Sequence, residues 1–256
     1  MKTLALITGA SSGIGKSLAI IHAKAGGDVI LVARSRDALE SLKKELERTH
    51  HITAHVMVKD LSKPNAAQEL YDEVIRNNWH VDILINNAGF GGQGLFHERA
   101  LEKDLAMITL NVQTLVALTR LFLPDMVGRE RGKILMIGST AGFMPGPLQA
   151  TYYATKAFVN SFSLALSEEL QGTGVSVTVL CPGAVNTGFI KAANVDGTKL
   201  FASTVSAASV AQAGYTAMLQ GKRLVISPGR LRLFIRMVGL FPRGLLLKTI
   251  YRLQQK

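Results

Sequence analysis

Residues 3–15 read TLALITGASSGIG. Thr3 to Thr8 make a short, mostly apolar run of strand length. Gly9, Gly13 and Gly15 then punctuate a tight turn, and a helical pattern takes over from Ile14 to about Ala25. Glycine lets the backbone bend sharply and lets an anion come close. The new helix turns free N–H groups and the positive end of its dipole toward that anion. A strand, a glycine turn and a helix in this order form a seat for the pyrophosphate of a dinucleotide. The spacing, three residues between the first two glycines and one between the last two, differs from GxGxxG, but the physics is the same. The hydroxyls of Ser11 and Ser12 add donors on the phosphate side.

Outward from this turn, apolar strand-like runs alternate with amphipathic stretches. Strands are predicted near 3–8, 28–33, 52–57, 82–85, 133–138, 175–181 and 223–226. Helices are predicted near 14–25, 37–48, 65–77, 99–109, 112–127, 152–171 and 207–219. Regular alternation implies a parallel sheet with helices on both faces, and right-handed crossovers make it a doubly wound, Rossmann-type α/β fold. No repeat or linker divides it, so residues 1–229 read as one domain and 230–256 as an extension. Residues 184–207 follow a predicted strand end, where ligands bind in such sheets, and read as a mobile substrate lid.

A second segment carries chemistry. Residues 138–158 read GSTAGFMPGPLQATYYATKAF. Tyr152 and Lys156 are four apart on a predicted helix and share a face. A phenol alone, with a pKa of about 10, is a poor acid or base at neutral pH. A neighbouring ammonium favours the phenolate and pulls that value down. Ser139 can hold a carbonyl oxygen beside the phenol. The set is a proton-transfer site for interconverting an alcohol and a ketone, provided something bound at the glycine turn carries the hydride. Tyr153, three residues from Lys156, is the competing proton donor.

Together these segments resemble the short-chain dehydrogenase/reductase family over about Lys2 to Gly229. TGASSGIG at Thr8–Gly15 is similar to its cofactor turn, NNAG at Asn86–Gly89 to its central-strand motif, and Pro182-Gly183 with Thr187 to its nicotinamide-side loop. Asn111, Ser139, Tyr152 and Lys156 match its catalytic four. The resemblance implies that Tyr152 exchanges the proton, Lys156 tunes the phenol and binds the nicotinamide ribose, and Ser139 orients the substrate oxygen. Asn111 would hold, through its backbone, a water leading from Lys156 to solvent. It also implies cofactor contacts at Gly9, Ser11, Ser12, Gly13, Ile14 and Gly15. Further contacts fall at Asp60 and Leu61 near the adenine, at Asn87, Ala88 and Gly89, and at Pro182, Gly183, Val185 and Thr187. Family habit adds a homodimer or homotetramer through the helices near 112–127 and 152–171, and favours Tyr152 over Tyr153.

The second predicted strand, DVILVAR (28–34), bears on which dinucleotide is bound. An acidic residue at its end would take the ribose 2′-hydroxyl of NAD. Ala33 stands there, followed by Arg34, whose guanidinium suits a 2′-phosphate. The pattern favours NADP (NADPH) over NAD; the other reading leaves Arg34 a solvated loop charge, with Ser35 or a backbone group serving NAD.

Of the 256 residues 48% are hydrophobic, ample for a buried core, and 18% are charged. The single cysteine, Cys181, ends the apolar run VSVTVLC and reads as a core residue of a reducing compartment, which suits a cytoplasmic protein. The opening MKTLALITGA has too short an apolar run for a signal peptide and leads directly into the glycine turn. His50, His51 and His55 lack the helical pairing and carboxylates of a metal site, so no metal is expected.

The net charge of +11 sits at one end. Residues 222–256 hold nine Lys and Arg and no Asp or Glu, which leaves +2 for residues 1–221. That argues against a nucleic-acid groove and for one local cationic segment. Residues 230–254, RLRLFIRMVGLFPRGLLLKTIYRLQ, interleave cations and apolar side chains too often for a bilayer span. Two readings stand side by side. One is an interfacial segment resting on the inner face of a membrane. The other is a pair of short helices covering the substrate cleft or a subunit interface. Either leaves apolar surface near the active site and points to a hydrophobic carbonyl or alcohol substrate. The rival functions are a dinucleotide-binding sensor without chemistry, and an epimerase or dehydratase of the family's extended branch. The intact Ser139, Tyr152 and Lys156 set disfavours the first, and the glycine spacing disfavours the second.

Overall fold

The computed structural model describes residues 2–255. In chain order the elements begin β1 (Leu4–Thr8), α1 (Gly13–Lys24), β2 (Asp28–Ala33), α2 (Arg36–His50), β3 (Ala54–Val58), α3 (Ala66–Arg76) and β4 (Ile83–Asn86). They continue with α4 (Leu101–Ile108), α5 (Leu115–Gly128), β5 (Gly132–Ile137), α6 (Ala150–Glu169) and β6 (Val175–Pro182). The chain ends with β7 (Val185–Asn186), α7 (Phe189–Ala192), β8 (Val205–Ser206), α8 (Ala207–Leu219), β9 (Leu224–Ser227), α9 (Leu231–Met237) and α10 (Arg243–Gln254).

Seven strands form one parallel sheet in the order β3-β2-β1-β4-β5-β6-β9. Successive side chains of a strand point to opposite faces, and both faces are buried here. Ala5 and Ile7 enter one core with Leu18 of α1, Leu39 of α2 and Val210 of α8. Leu6 enters the other with Leu70 of α3, Leu118 of α5 and Val159 of α6. Fully burying each of the Leu, Ile and Val side chains stabilises the fold by about 1.5–3 kcal/mol. The order reverses between β1 and β4, so the ends of these strands splay apart and open a crevice at their carboxyl edge. The doubly wound reading is correct.

The structure corrects one expectation and gives two other segments definite form. The helices predicted at 99–109 and 112–127 are one continuous run, Leu101–Gly128, joined through a widened π-type turn at Thr109–Thr114. The run is long and apolar enough to cross a membrane, yet Met107, Leu115, Leu118, Phe122 and Met126 bury one side of it within the fold. The segment expected as a loose lid has structure of its own. β7 pairs with β8, and α7 and a turn at Lys199–Phe201 lie between them. The tail forms α9 and α10, which pack back on the domain through Ile235, Val238 and Ile250.

Candidate active site

Thr8, the last residue of β1, organises the crevice. Its Oγ1 donates to the Ile85 carbonyl (3.2 Å) and accepts from the N–H groups of Asn87 and Ala88 (both 3.0 Å). The Asn87 amide returns to the carbonyls of Thr8 (2.8 Å) and Gly9 (3.2 Å). The glycine turn and the 86–89 segment are therefore locked together. Gly9 has φ +67°, and a Cβ there would come within 2.7 Å of the Asn87 amide nitrogen, so only glycine fits. Gly15 lies behind the crevice rather than along it, because its α-hydrogen faces the Gly9 carbonyl where any side chain would collide. Asn86 turns into the core and donates to Thr119 Oγ1 at 3.0 Å, tying β4 to α5.

The crevice is a single cleft of about 810 Å³. At one end it is lined by Gly9, Ser11, Ser12, Gly13 and Ile14. The helix that starts there, α1, has no side-chain cap and no acid in its first turn, which leaves its N-terminus open to an anion. Arg34, Asp60 and Leu61 line the next stretch; Arg34 is exposed, and among the described residues it forms no ion pair. The Asp60 carboxylate accepts from the Ser62 N–H (3.1 Å) and hydroxyl (2.6 Å), which holds its pKa below the usual carboxylate range. Asn87, Ala88, Gly89, Pro182, Gly183, Val185 and Thr187 complete this half. The pocket fits a dinucleotide: glycines open it, free N–H groups face it, and a cation but no acid stands at the end of β2.

At the other end stand Ser139, Tyr152 and Lys156. Tyr152 lies in the first turn of α6, and Ser139 follows β5. Burial pushes the Tyr152 phenol up to about 12, against the opposing pull of its hydrogen bond with Ser139. The lowering expected from Lys156 does not prevail. Its Nζ lies 5.9 Å from the Tyr152 ring centroid and donates to the Ile137 carbonyl at 2.7 Å. Burial in turn lowers Lys156 to about 8. Tyr153 also borders the cleft, and burial pushes its phenol up further. Ser139 is held from behind by Asn160, whose Nδ2 donates to the Ser139 carbonyl (3.0 Å) and whose Oδ1 accepts from the Ser139 N–H (3.4 Å). Asn160 also accepts from Cys181 Sγ at 3.3 Å; that thiol is fully buried and pushed up to about 12 by burial.

Asn111 does not line the cleft. It is buried behind Gly89, accepting from the Phe90 N–H (3.1 Å) and donating to the Phe90 carbonyl (2.9 Å) and Thr155 Oγ1 (3.1 Å). Thr155 donates to the Tyr152 carbonyl at 2.7 Å. Asn111 thus brackets Phe90, just past the 86–89 segment, to α6. Of the three histidines, His51 ends α2 in the left-handed region, and His55 stacks on Trp79 at 4.0 Å.

The sequence did not reveal Asn160, nor the apolar wall opposite Tyr152. Phe189, whose ring centroid is 5.4 Å from that of Tyr152, forms the wall with Met144, Phe201, Phe234 and Ile235. Asn160 stands one helical turn beyond Lys156, the one signal that places it near the site. The wall residues follow no motif.

Residues 3–197 match the short chain dehydrogenase family, and the chain belongs to it. It is 32% identical over 231 residues to dehydrogenase/reductase SDR family member 7B of Mus musculus, covering 86% of this chain and 72% of that one. It is 39% identical over 183 residues to the NADP-dependent 3-hydroxy acid dehydrogenase YdfG of Salmonella typhi, covering 71% of this chain and 72% of that one. A short-chain dehydrogenase from Sphingobium yanoikuyae in complex with NADPH superposes with a TM-score of 0.85 at 30% identity, covering 95% of each chain. The protein is thus an oxidoreductase that interconverts alcohol and carbonyl groups with a nicotinamide cofactor.

Proposed function

We propose that this chain is an NADP-dependent oxidoreductase for a hydrophobic ketone or secondary alcohol, with Tyr152 as the proton-transfer group. The observation that carries the reading is one cleft with the open N-terminus of α1 at one end and the Ser139–Tyr152 pair under an apolar wall at the other. The Salmonella and Sphingobium relatives, NADP- and NADPH-binding by name, support the cofactor.

Gly9, Ser11, Ser12, Gly13 and Ile14 would hold the pyrophosphate, and Arg34 the 2′-phosphate. Asp60 and Leu61 would hold the adenine. Asn87, Ala88, Gly89, Lys156, Pro182, Gly183, Val185 and Thr187 would border the nicotinamide half. Bound there, the nicotinamide supplies or accepts the hydride.

The chain's own groups manage the oxygen. In reduction, the Ser139 hydroxyl donates to the carbonyl oxygen and orients it. The Tyr152 phenol gives its proton as negative charge develops on that oxygen. A phenol near 12 is fully protonated at neutral pH, so it is ready to donate. Lys156 places a positive charge beside the phenolate that remains. Asn111 and Thr155 fix the first turn of α6, so Tyr152 does not drift from Ser139. Phe189, Phe201 and Phe234 exclude water and receive the apolar part of the substrate. On the outer face of α6, Phe158 is exposed and stacks on Phe162 at 5.7 Å, which supports a homodimer or homotetramer formed through this face.

The test is NADPH consumption across ketones of rising apolar size, compared with NADH. The expected result is turnover with NADPH and a kcat/KM that climbs with apolar size. Absence of turnover across the whole series would favour a binding protein without chemistry.

A further inference from the structure

We infer that the outer face of α9 and α10 docks on an anionic lipid bilayer, setting the mouth of the cleft against the membrane. Each helix uses only a narrow stripe to hold the domain. In α9 and the turn after it the stripe is Leu231, Ile235 and Val238; in α10 it is Leu246, Ile250 and Gln254. The remaining apolar side chains point outward. Leu240 is 81% exposed, Leu233 67% and Leu245 58%. Nearly half of the large apolar side chains exposed among the described residues fall in this one segment. A greasy surface this concentrated marks a contact.

Charge decides the partner. The exposed Arg232, Arg236, Arg243, Lys248 and Arg252 lie among these leucines, and residues 222–256 contain no acid. A second copy meeting this face about a two-fold axis would set cation against cation with nothing to neutralise them. A nucleic acid would take the cations and leave the leucines in water. An anionic bilayer satisfies both, with apolar groups at the acyl boundary and cations at the headgroups. Both helices are far too short to span, so the contact lies in the interface.

The first of these helices borders the cleft, and the second is tied to its rim. Leu231, Phe234 and Ile235 line the cleft, and Phe234 is also 46% exposed on the outer face. Gln254 ties α10 to the cleft rim, its side chain accepting from Gln149 at 2.6 Å and its carbonyl from Gln93. If the proposed oxidoreductase reading holds, an apolar substrate dissolved in the bilayer reaches Tyr152 along Phe234 without crossing water.

The experiment is flotation of the full-length protein with vesicles of mixed phosphatidylglycerol and phosphatidylcholine, and with phosphatidylcholine alone. Two variants accompany it, L233E/L240E/L245E and R232Q/R236Q/K248Q, all at exposed positions outside the cleft lining. Wild type is expected to float with the anionic vesicles only, and to be released by salt. Each variant is expected to lose about tenfold or more in binding, with unchanged melting temperature and unchanged turnover of a water-soluble ketone. No flotation of wild type, or binding indifferent to lipid charge and salt, overturns the inference even if a variant misfolds. So does equal binding by well-folded variants. Dissociation of an oligomer by the leucine variant, without vesicle binding, makes the face a contact between copies instead. Failure of the ketone assay in wild type strikes the proposed function and leaves the docking result standing.

Discussion

The Lys156 ammonium donates to the carbonyl oxygen of Ile137, the last residue of β5, at 2.7 Å. That contact anchors a buried cation at the end of a central strand, and burial lowers its pKa from 10.5 to about 8. Below about 8 the folded chain must keep a charge out of water, at a cost to stability.

The sign of that cost gives a prediction. Between about 8 and 10.5 the unfolded chain binds the proton that the native chain has released, so Lys156 makes stability rise with pH across that window. Lys156→Met removes this dependence. At pH 7 the variant, without cofactor, is expected to be more stable by about 1–3 kcal/mol, the pKa difference less one lost hydrogen bond. The advantage should shrink as pH rises from about 8 to about 10.5. Urea unfolding of both proteins across that range checks it; a constant gap would contradict it.

Direction of catalysis should depend on pH through Tyr152. Ketone reduction needs the protonated phenol, which persists at all pH values well below 12, so its rate stays flat through neutrality. Alcohol oxidation needs the phenolate, whose fraction grows about tenfold per pH unit below the pKa. Initial rates in both directions from about pH 5.5 to about pH 7.5, where Lys156 keeps its charge, test this. A reduction rate that falls steeply across neutrality would assign the proton to another group.

Arg34→Ala should separate the two cofactors. The guanidinium is exposed and lines the cleft just past the last residue of β2. Losing a charge-assisted contact to a 2′-phosphate costs about 1.5–3 kcal/mol, so KM for NADPH is expected to rise about 10- to 100-fold. KM for NADH should hardly change. Equal effects on both would remove Arg34 from phosphate recognition.

Much of this was legible in the chain because local and global signals agree. Buried strands such as LALIT and DVILVA are apolar on both faces, and the glycine turn sits where β1 meets α1. What escaped depends on tertiary contacts. The pattern placed a break between helices at 99–109 and 112–127. Instead the helix widens there, and the Asn111 amide bonds Phe90 and Thr155, residues remote in sequence. Asn160 looks like any polar helix residue until Ser139 is placed against it. Neither tail reading could be chosen from sequence, because the stripe that holds α9 and α10 is a minority of their apolar residues.

The most direct measurement is single-turnover reduction by Tyr152→Phe, paired with its NADPH affinity. The variant is expected to bind NADPH within a few-fold of wild type and to transfer hydride more slowly by about 10²–10⁴. A variant that binds NADPH normally and reduces the ketone at close to the wild-type rate would contradict this, because the proton would then come from elsewhere.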